Sequence, residues 1–402
     1  MEVRKSWFKR FKGWLLSIIL IDLMTLLTRF VESIFKKDPS VLTLFFTENN
    51  FADNCRYFLT YLLENPDHNF KVRVLVKQQK LFNQIHKLHP EITYNANSFS
   101  GLRLFLRTKN LVISHGSDAS YFFPYFLDVK SKNIINLWHG IPLKRLSLQV
   151  KGIRESKSRN RFQKFSAICA ASTFEQFLLA SCFDMHMDDV WVTGTPRNDY
   201  LIHPSEELLK THSYLNSKVV LYAPTWREYG NRSSFFPFID KDLKALNQML
   251  ESQDTYLLLR GHREEMERIK NNYGQEDTLS RILPAHQEIF PDVQLLLAHV
   301  DVLVTDYSSI YLDYLLVDKP MIFIPYDLEE YQSYRGFLFD YDSHTPGDKV
   351  YTQDEFVGSL EKALNSADTG AVDRTRVKNL FHTYQDGMAS ERIISKINQM
   401  NK

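Results

Sequence analysis

The stretch "NLWHGIPLKRL", residues 136–146, follows "NII" and so closes an apolar run on His139, Gly140 and Pro142 before two cations, Lys144 and Arg145. An apolar run stopped by a breaker pair reads as a buried strand that ends abruptly. A histidine at such a stop is either a packed core residue or a group held out for chemistry. The rest of the chain decides between these, because the same arrangement recurs along it.

Short apolar runs rich in β-branched and aromatic residues alternate with helical stretches. They are "VLTLFFT" (41–47), "KVRVLV" (71–76), "NLVIS" (110–114), "NIINLW" (133–138), "SAICAAS" (166–172) and "DVWVTG" (189–194). The second half repeats the rhythm with "KVVLYAP" (218–224), "TYLLLRG" (255–261), "VDVLVTD" (300–306) and "KPMIFIP" (319–325). Continuous apolar runs of this length suit parallel strands covered on both faces by helices. The expected architecture is α/β, with two facing doubly wound domains over residues 38–205 and 206–402. The stretch 201–217 is the expected bridge between them.

The bulk numbers agree. The 402 residues suffice for two ordinary domains, and 44% hydrophobic with 24% charged residues is a globular composition. A formal net charge of +1 argues against a general polyanion binder, so no nucleic-acid partner is expected. Cys55, Cys169 and Cys182 form no CxxC pair and leave one unpaired, so neither a disulfide framework nor a zinc site is expected, and a reducing cytosol fits best.

Residues 1–37 differ from the rest. "MEVRKSWFKRFKG" carries five Lys/Arg against one Glu, and the apolar run behind it is interrupted by Asp22. Asp22, Thr25, Arg29 and Glu32 fall on one helical stripe. Such a helix lies in a membrane surface, or it packs on the body of the protein; lysine-rich flanks and tryptophans favour the first. The segment from Lys144 to Lys164, with eight basic residues and Glu155 as its one acid, is either a solvated face or a guide for anionic groups.

The strand ends carry the polar residues: His139-Gly140, Thr195 to Asp199, Thr225-Trp226-Arg227, His262-Arg263 and Tyr307-Ser308-Ser309. Ligands of open parallel sheets bind beyond the carboxyl ends of the strands, so both halves address one cleft. Ser308 and Ser309 read as a helix start with hydroxyls and free N–H groups, an arrangement suited to phosphate; as a bare N-cap it would be structural. Asp313, four residues on, shares their helical face. Arg197, Arg227 and Arg260 match a diphosphate without a metal. His139 and His262 are acid/base or phosphate-binding candidates. "DYD" (340–342) reads as a turn rather than a metal site.

Taken together, "WHGIPLK", "GTPRNDYL", "YAPTWRE", "LRGH", "TDYSSIYLDY", "KPMIFIPYDLEEY", "RGFLFDY" and "DGMASERI" resemble the CDP-glycerol glycerophosphotransferase family, which includes teichoic-acid primases and polymerases. The resemblance runs from about residue 134 to residue 393 in order. It implies a GT-B fold and transfer of glycerol phosphate from CDP-glycerol to a hydroxyl of a lipid-linked glycan, with release of CMP and no cofactor. It implies His139 and His262 as catalytic residues. It implies a donor site of Gly140, Ile141, Pro142, Leu143, Arg197, Pro224, Thr225, Arg260, Gly261, Ser308, Ser309 and Asp313, with no metal ligand. Ile141 stands where the family more often has Thr, and Arg263 where it has Pro. An enzyme at the cytoplasmic face of the cell membrane, held there peripherally, is the expectation. The competing readings are a nucleotide-sugar glycosyltransferase of the same fold and a non-catalytic scaffold of wall or capsule assembly.

Overall fold

The computed structural model of the chain describes residues 30–48, 50–115, 131–150, 165–225, 235–261, 279–365 and 370–402. Two parallel sheets organise it. The first contains β1 (Asp38–Phe46), β2 (Lys71–Val76), β3 (Thr93–Asn95), β4 (Thr108–Ile113), β5 (Asn133–Asn136), β6 (Ala167–Ala170) and β7 (Val190–Val192) in the order β3-β2-β1-β4-β5-β6-β7. The second contains β8 (Lys218–Tyr222), β9 (Thr255–Leu259), β10 (Ile282–Pro284), β11 (Val302–Thr305), β12 (Met321–Phe323) and β13 (Asp348–Lys349) in the order β10-β9-β8-β11-β12-β13.

Both orders reverse direction in the middle, between β1 and β4 and between β8 and β11. A doubly wound sheet opens a crevice at that reversal, because the flanking loops leave to opposite faces. Inner strands are buried on both sides, as in β6 and β11, all of whose residues are buried. Two apolar clusters flank the first sheet, one around Leu44, Val74 and Ile135 and the other around Leu75, Leu111 and Ile168.

Every apolar run read from the sequence contributes a strand. The strands it did not supply, β3, β10 and β13, are two or three residues long and sit at sheet edges. Each of these three buries at most one residue and so leaves no trace in a hydrophobic pattern, whereas β7, also at an edge, buries Val190 and Trp191.

One boundary is corrected. The helix Ala389–Met400 lies in the expected second domain, yet Ile393, Ile394 and Ile397 pack into the first sheet's core beside Leu42, Val74 and Trp191. Asp199 receives the N–H groups of Ala389 (3.0 Å) and Ser390 (3.1 Å), which caps that helix from the first lobe. The chain therefore crosses back, and the 206–402 unit loses its last helix to the first lobe.

Most of the expected 1–37 helix lies outside the described residues. Its end, residues 30–34, is helical. Glu32, the last member of the expected polar stripe, is buried against Lys132, Oε1 to Nζ 2.6 Å. That turn packs on the protein by an internal ion pair, in which burial pulls the Lys132 ammonium down against the pull of Glu32. Among the described residues no helix is long and apolar enough to cross a membrane.

Candidate active site between the two lobes

β5 delivers His139 into the gap between the lobes. Trp138 adopts φ 60 and Gly140 φ 128, so the chain turns sharply on either side of the histidine. A tryptophan at positive φ is strained and persists only when its surroundings hold it. Two buried asparagines do so: Asn136 Oδ1 accepts from the Trp138 N–H (2.8 Å), and Asn54 Nδ2 donates to the Trp138 carbonyl (2.8 Å). His139 lines the cleft and keeps exposed surface there, although the protein crowds its ring. Its Nδ1 faces the Ser114 carbonyl at 3.3 Å. A carbonyl only accepts, so the proton sits on Nδ1 and Nε2 carries the lone pair.

Beyond His139 the loop enters the second lobe. Ile141 and Leu143 are buried in a cluster with Tyr307, Tyr311 and Phe337. The Leu338 N–H donates to the Leu143 carbonyl (2.9 Å), and the Arg145 N–H to the Gly336 carbonyl (3.1 Å). An apolar residue at position 141 is therefore a packing choice at the lobe interface. The cleft, about 260 Å³, is lined by Trp138 to Leu146 from the first lobe and by Ser308, Ser309 and Arg335 from the second.

Of the residues nominated from the sequence, His139, Gly140, Ile141, Pro142, Leu143, Ser308 and Ser309 line this one cleft. The expected helix after the serines starts at Ile310 and is one short turn, with no side-chain cap bond from Ser309. Pro224 and Thr225 follow β8 at the second sheet's reversal. There the buried Asp306 carboxylate takes the N–H groups of Thr225 (2.7 Å) and Tyr307 (2.5 Å). Arg260, which precedes Gly261, donates through Nη1 to the Ala285 and Phe290 carbonyls, both at 3.0 Å. His262 and Arg227 lie outside the described residues.

Arg197 and Asp313 meet each other. The guanidinium bonds Asp53 Oδ1 (3.0 Å), the His139 carbonyl (2.8 Å) and Asp313 Oδ2 (2.5 Å). Asn198 Nδ2 adds a bond to Asp313 Oδ1 (3.0 Å), and Gln294 Nε2 donates to Asn198 Oδ1 (2.9 Å). These groups are a polar joint between the lobes. The cations that line the cleft are instead Lys144, Arg145 and Arg335. Arg335 was missed because it ends a helix, Leu328–Tyr334, rather than a strand. Asp340 of "DYD" caps a helical turn by accepting from the Ser343 N–H (2.8 Å), the turn expected of it.

The family model for CDP-glycerol:poly(glycerophosphate) glycerophosphotransferases matches residues 26–399. The chain belongs to this family. It is 30% identical over 282 residues to a teichoic acid glycerol-phosphate transferase of Staphylococcus aureus, covering 65% of this chain and 70% of the relative. It is 27% identical over 285 residues to a teichoic acid poly(ribitol-phosphate) polymerase of Bacillus spizizenii, covering 67% of this chain and 43% of that polymerase. In fold it is similar to the wall teichoic acid polymerase TagF, with TM-score 0.70 at 22% identity over 91% of this chain and 90% of that one. The two facing parallel sheets are thus the GT-B arrangement, and the family is one of enzymes.

Proposed function

We propose that this glycerophosphotransferase-family chain transfers glycerol phosphate, or a related polyol phosphate, from a CDP-alcohol to a hydroxyl of a lipid-linked glycan in teichoic-acid or capsule-type polymer synthesis. One observation supports this most: His139 and the Ser308/Ser309 pair, from opposite lobes, line one cleft with Lys144, Arg145 and Arg335 around it. A pyrophosphate needs cations and hydroxyl donors, and its attacking alcohol needs a base.

In the proposed step the acceptor oxygen bonds the β-phosphorus as the bond from that phosphorus to the bridging oxygen breaks. CMP leaves with the electron pair, and the acceptor's proton passes to His139 Nε2. The cleft cations, the two serines and His262 stabilise the charge on the transferred phosphoryl group and on CMP. The reaction needs no cofactor beyond the donor.

Peripheral attachment at the cytoplasmic face of the membrane suits a lipid-linked acceptor. A groove of about 370 Å³ supports it, in which exposed Phe99, Leu102 and Ile34 stand beside Lys36, Arg103 and Arg107. Apolar side chains ringed by cations are what an anionic lipid surface binds.

The test is CMP release and product mass with CDP-glycerol, CDP-ribitol and UDP-sugars on a synthetic lipid-disaccharide. A CDP-alcohol is expected to turn over, and His139→Ala to lower turnover by about 10²–10⁴-fold with the fold kept. Turnover with UDP-sugars alone would overturn the donor assignment.

A further inference from the structure

At the first sheet's reversal one side chain outside the nominated set, His115, stacks on His139, and a second, Asp53, stands against His115 and Arg197. β4 runs on into Ser114-His115 and β5 into Trp138-His139, and parallel pairing of Ile113 with Asn136 brings both imidazoles to one edge. Their rings stack, centroids 5.2 Å apart and planes within 10°. Asn136 ties the two turns together, since its Nδ2 donates to the His115 carbonyl (3.0 Å) while its Oδ1 holds Trp138.

The carboxylates lie behind His115. Its Nε2 is 3.8 Å from Glu48 Oε1 and 3.8 Å from Asp53 Oδ2. Asp53 opens the helix Asp53–Glu64 at φ 64 and gives its other oxygen to Arg197. Among the described residues, His115 stacks on the His139 ring, Arg197 bonds its carbonyl, Glu48 and Asp53 stand against His115, buried Cys55 lies against Ser114, and Lys144, Arg145 and Arg335 share the cleft.

Given that His139 is the base, we propose that Asp53 and His115 are its positioning residues: the stack fixes the ring plane, Asp53 stabilises the proton the ring takes up, and His115 opposes its retention. Accepting the acceptor's proton makes His139 an imidazolium. Asp53 offsets that charge and also the charge of Arg197, whose Nη1 bonds the His139 carbonyl. Arg197, and His115 whenever it carries a proton, repel it and so favour return of the proton to solvent before the next turnover. The free enzyme shows the same balance: the protein around the ring, then His115 and Arg197, hold His139 below the ordinary imidazole range, while Asp53 and the Ser114 carbonyl pull the other way.

The experiment compares wild type, His139→Ala, Asp53→Asn and His115→Phe as full chains, with CDP-glycerol and the lipid-disaccharide. It records kcat and KM against pH, the titration of the His139 Cε1 resonance, and melting temperature. Asparagine tolerates the left-handed conformation of position 53, and phenylalanine keeps a ring face against His139. Asp53→Asn is expected to lower kcat with the donor KM nearly unchanged, and to move the acid limb and the resonance midpoint to lower pH. His115→Phe is expected to move both to higher pH. Midpoints that stay put, or that move in the same direction, overturn the positioning role even when His139→Ala is inactive. Full turnover by His139→Ala instead overturns the base assignment, and the two failures are separate. If Asp53→Asn fails to fold, the direction of the His115→Phe shift alone decides.

Discussion

The guanidinium of Arg197 lies between two carboxylates from opposite lobes, Nη1 3.0 Å from Asp53 Oδ1 and Nη2 2.5 Å from Asp313 Oδ2. The side chain of Asp313 is 4% exposed and that of Arg197 15%, so the ion pair is poorly screened by water. A buried pair is weak evidence of net stabilisation, but removing one partner strands the other. Arg197→Met leaves two carboxylates unneutralised, and a loss of about 3–5 kcal/mol in denaturant unfolding is expected. A double-mutant cycle with Asp313→Asn should show strong coupling, since the pair is in direct contact.

Gly140→Ala tests the same joint from the backbone. At φ 128 an L side chain is strained, and a Cβ at this glycine would collide with Arg197 Nη2. The variant should lose both stability and turnover, with the loss in turnover larger because His139 is its neighbour. Thermal melts beside CMP release check this.

The cleft cations are expected to bind the donor. Arg335→Ala and Arg145→Ala should each raise the KM for the CDP-alcohol by about 10-fold or more, as expected for a lost charge-assisted hydrogen bond. Arg260→Ala should mainly lower stability, because Nη1 is spent on the Ala285 and Phe290 carbonyls. Steady-state kinetics with denaturant melts separates the two outcomes.

Glu175 should make stability fall as pH rises from the ordinary carboxylate range to about 8. This carboxyl is buried, and burial pushes it up to about 8 although it accepts the Ala171 N–H at 2.6 Å. Between its unfolded value and about 8 the folded chain binds the extra proton, so stability declines with rising pH. Glu175→Gln keeps an acceptor and cannot ionise. Its melting temperature should change less than that of wild type between pH 5 and pH 9.

Phe99→Ser with Leu102→Ser should weaken sedimentation with anionic vesicles, and Arg103→Glu should weaken it in a salt-dependent way. Neutral vesicles should bind poorly in every case. Equal binding by all variants would remove this groove from the membrane reading.

The sequence carried more of the site than a motif search would show. His139, Ser308 and Ser309 were legible because a polar residue right after an apolar run is, in a parallel sheet, a residue at the ligand edge. His115 obeys the same rule, at the end of "NLVIS", and Ser114-His115-Gly116 repeats the pattern of Trp138-His139-Gly140. Comparing strand ends with each other would have found it. Asp53 offered no such sign, since a lone acid at a helix start is ordinary capping chemistry.

By itself the sequence determined the alternation of buried strands and helices, and with it two doubly wound sheets whose polar ends share an edge. Hydrophobic periodicity is a local property, so it survives in one dimension. Only the tertiary structure decided that Arg197 and Asp313 grip each other across the lobes, that the last helix returns to the first sheet, and that Arg335 joins the cleft. Those are contacts between residues far apart in the chain, set by how the lobes pack, and no local pattern encodes which cation meets which anion.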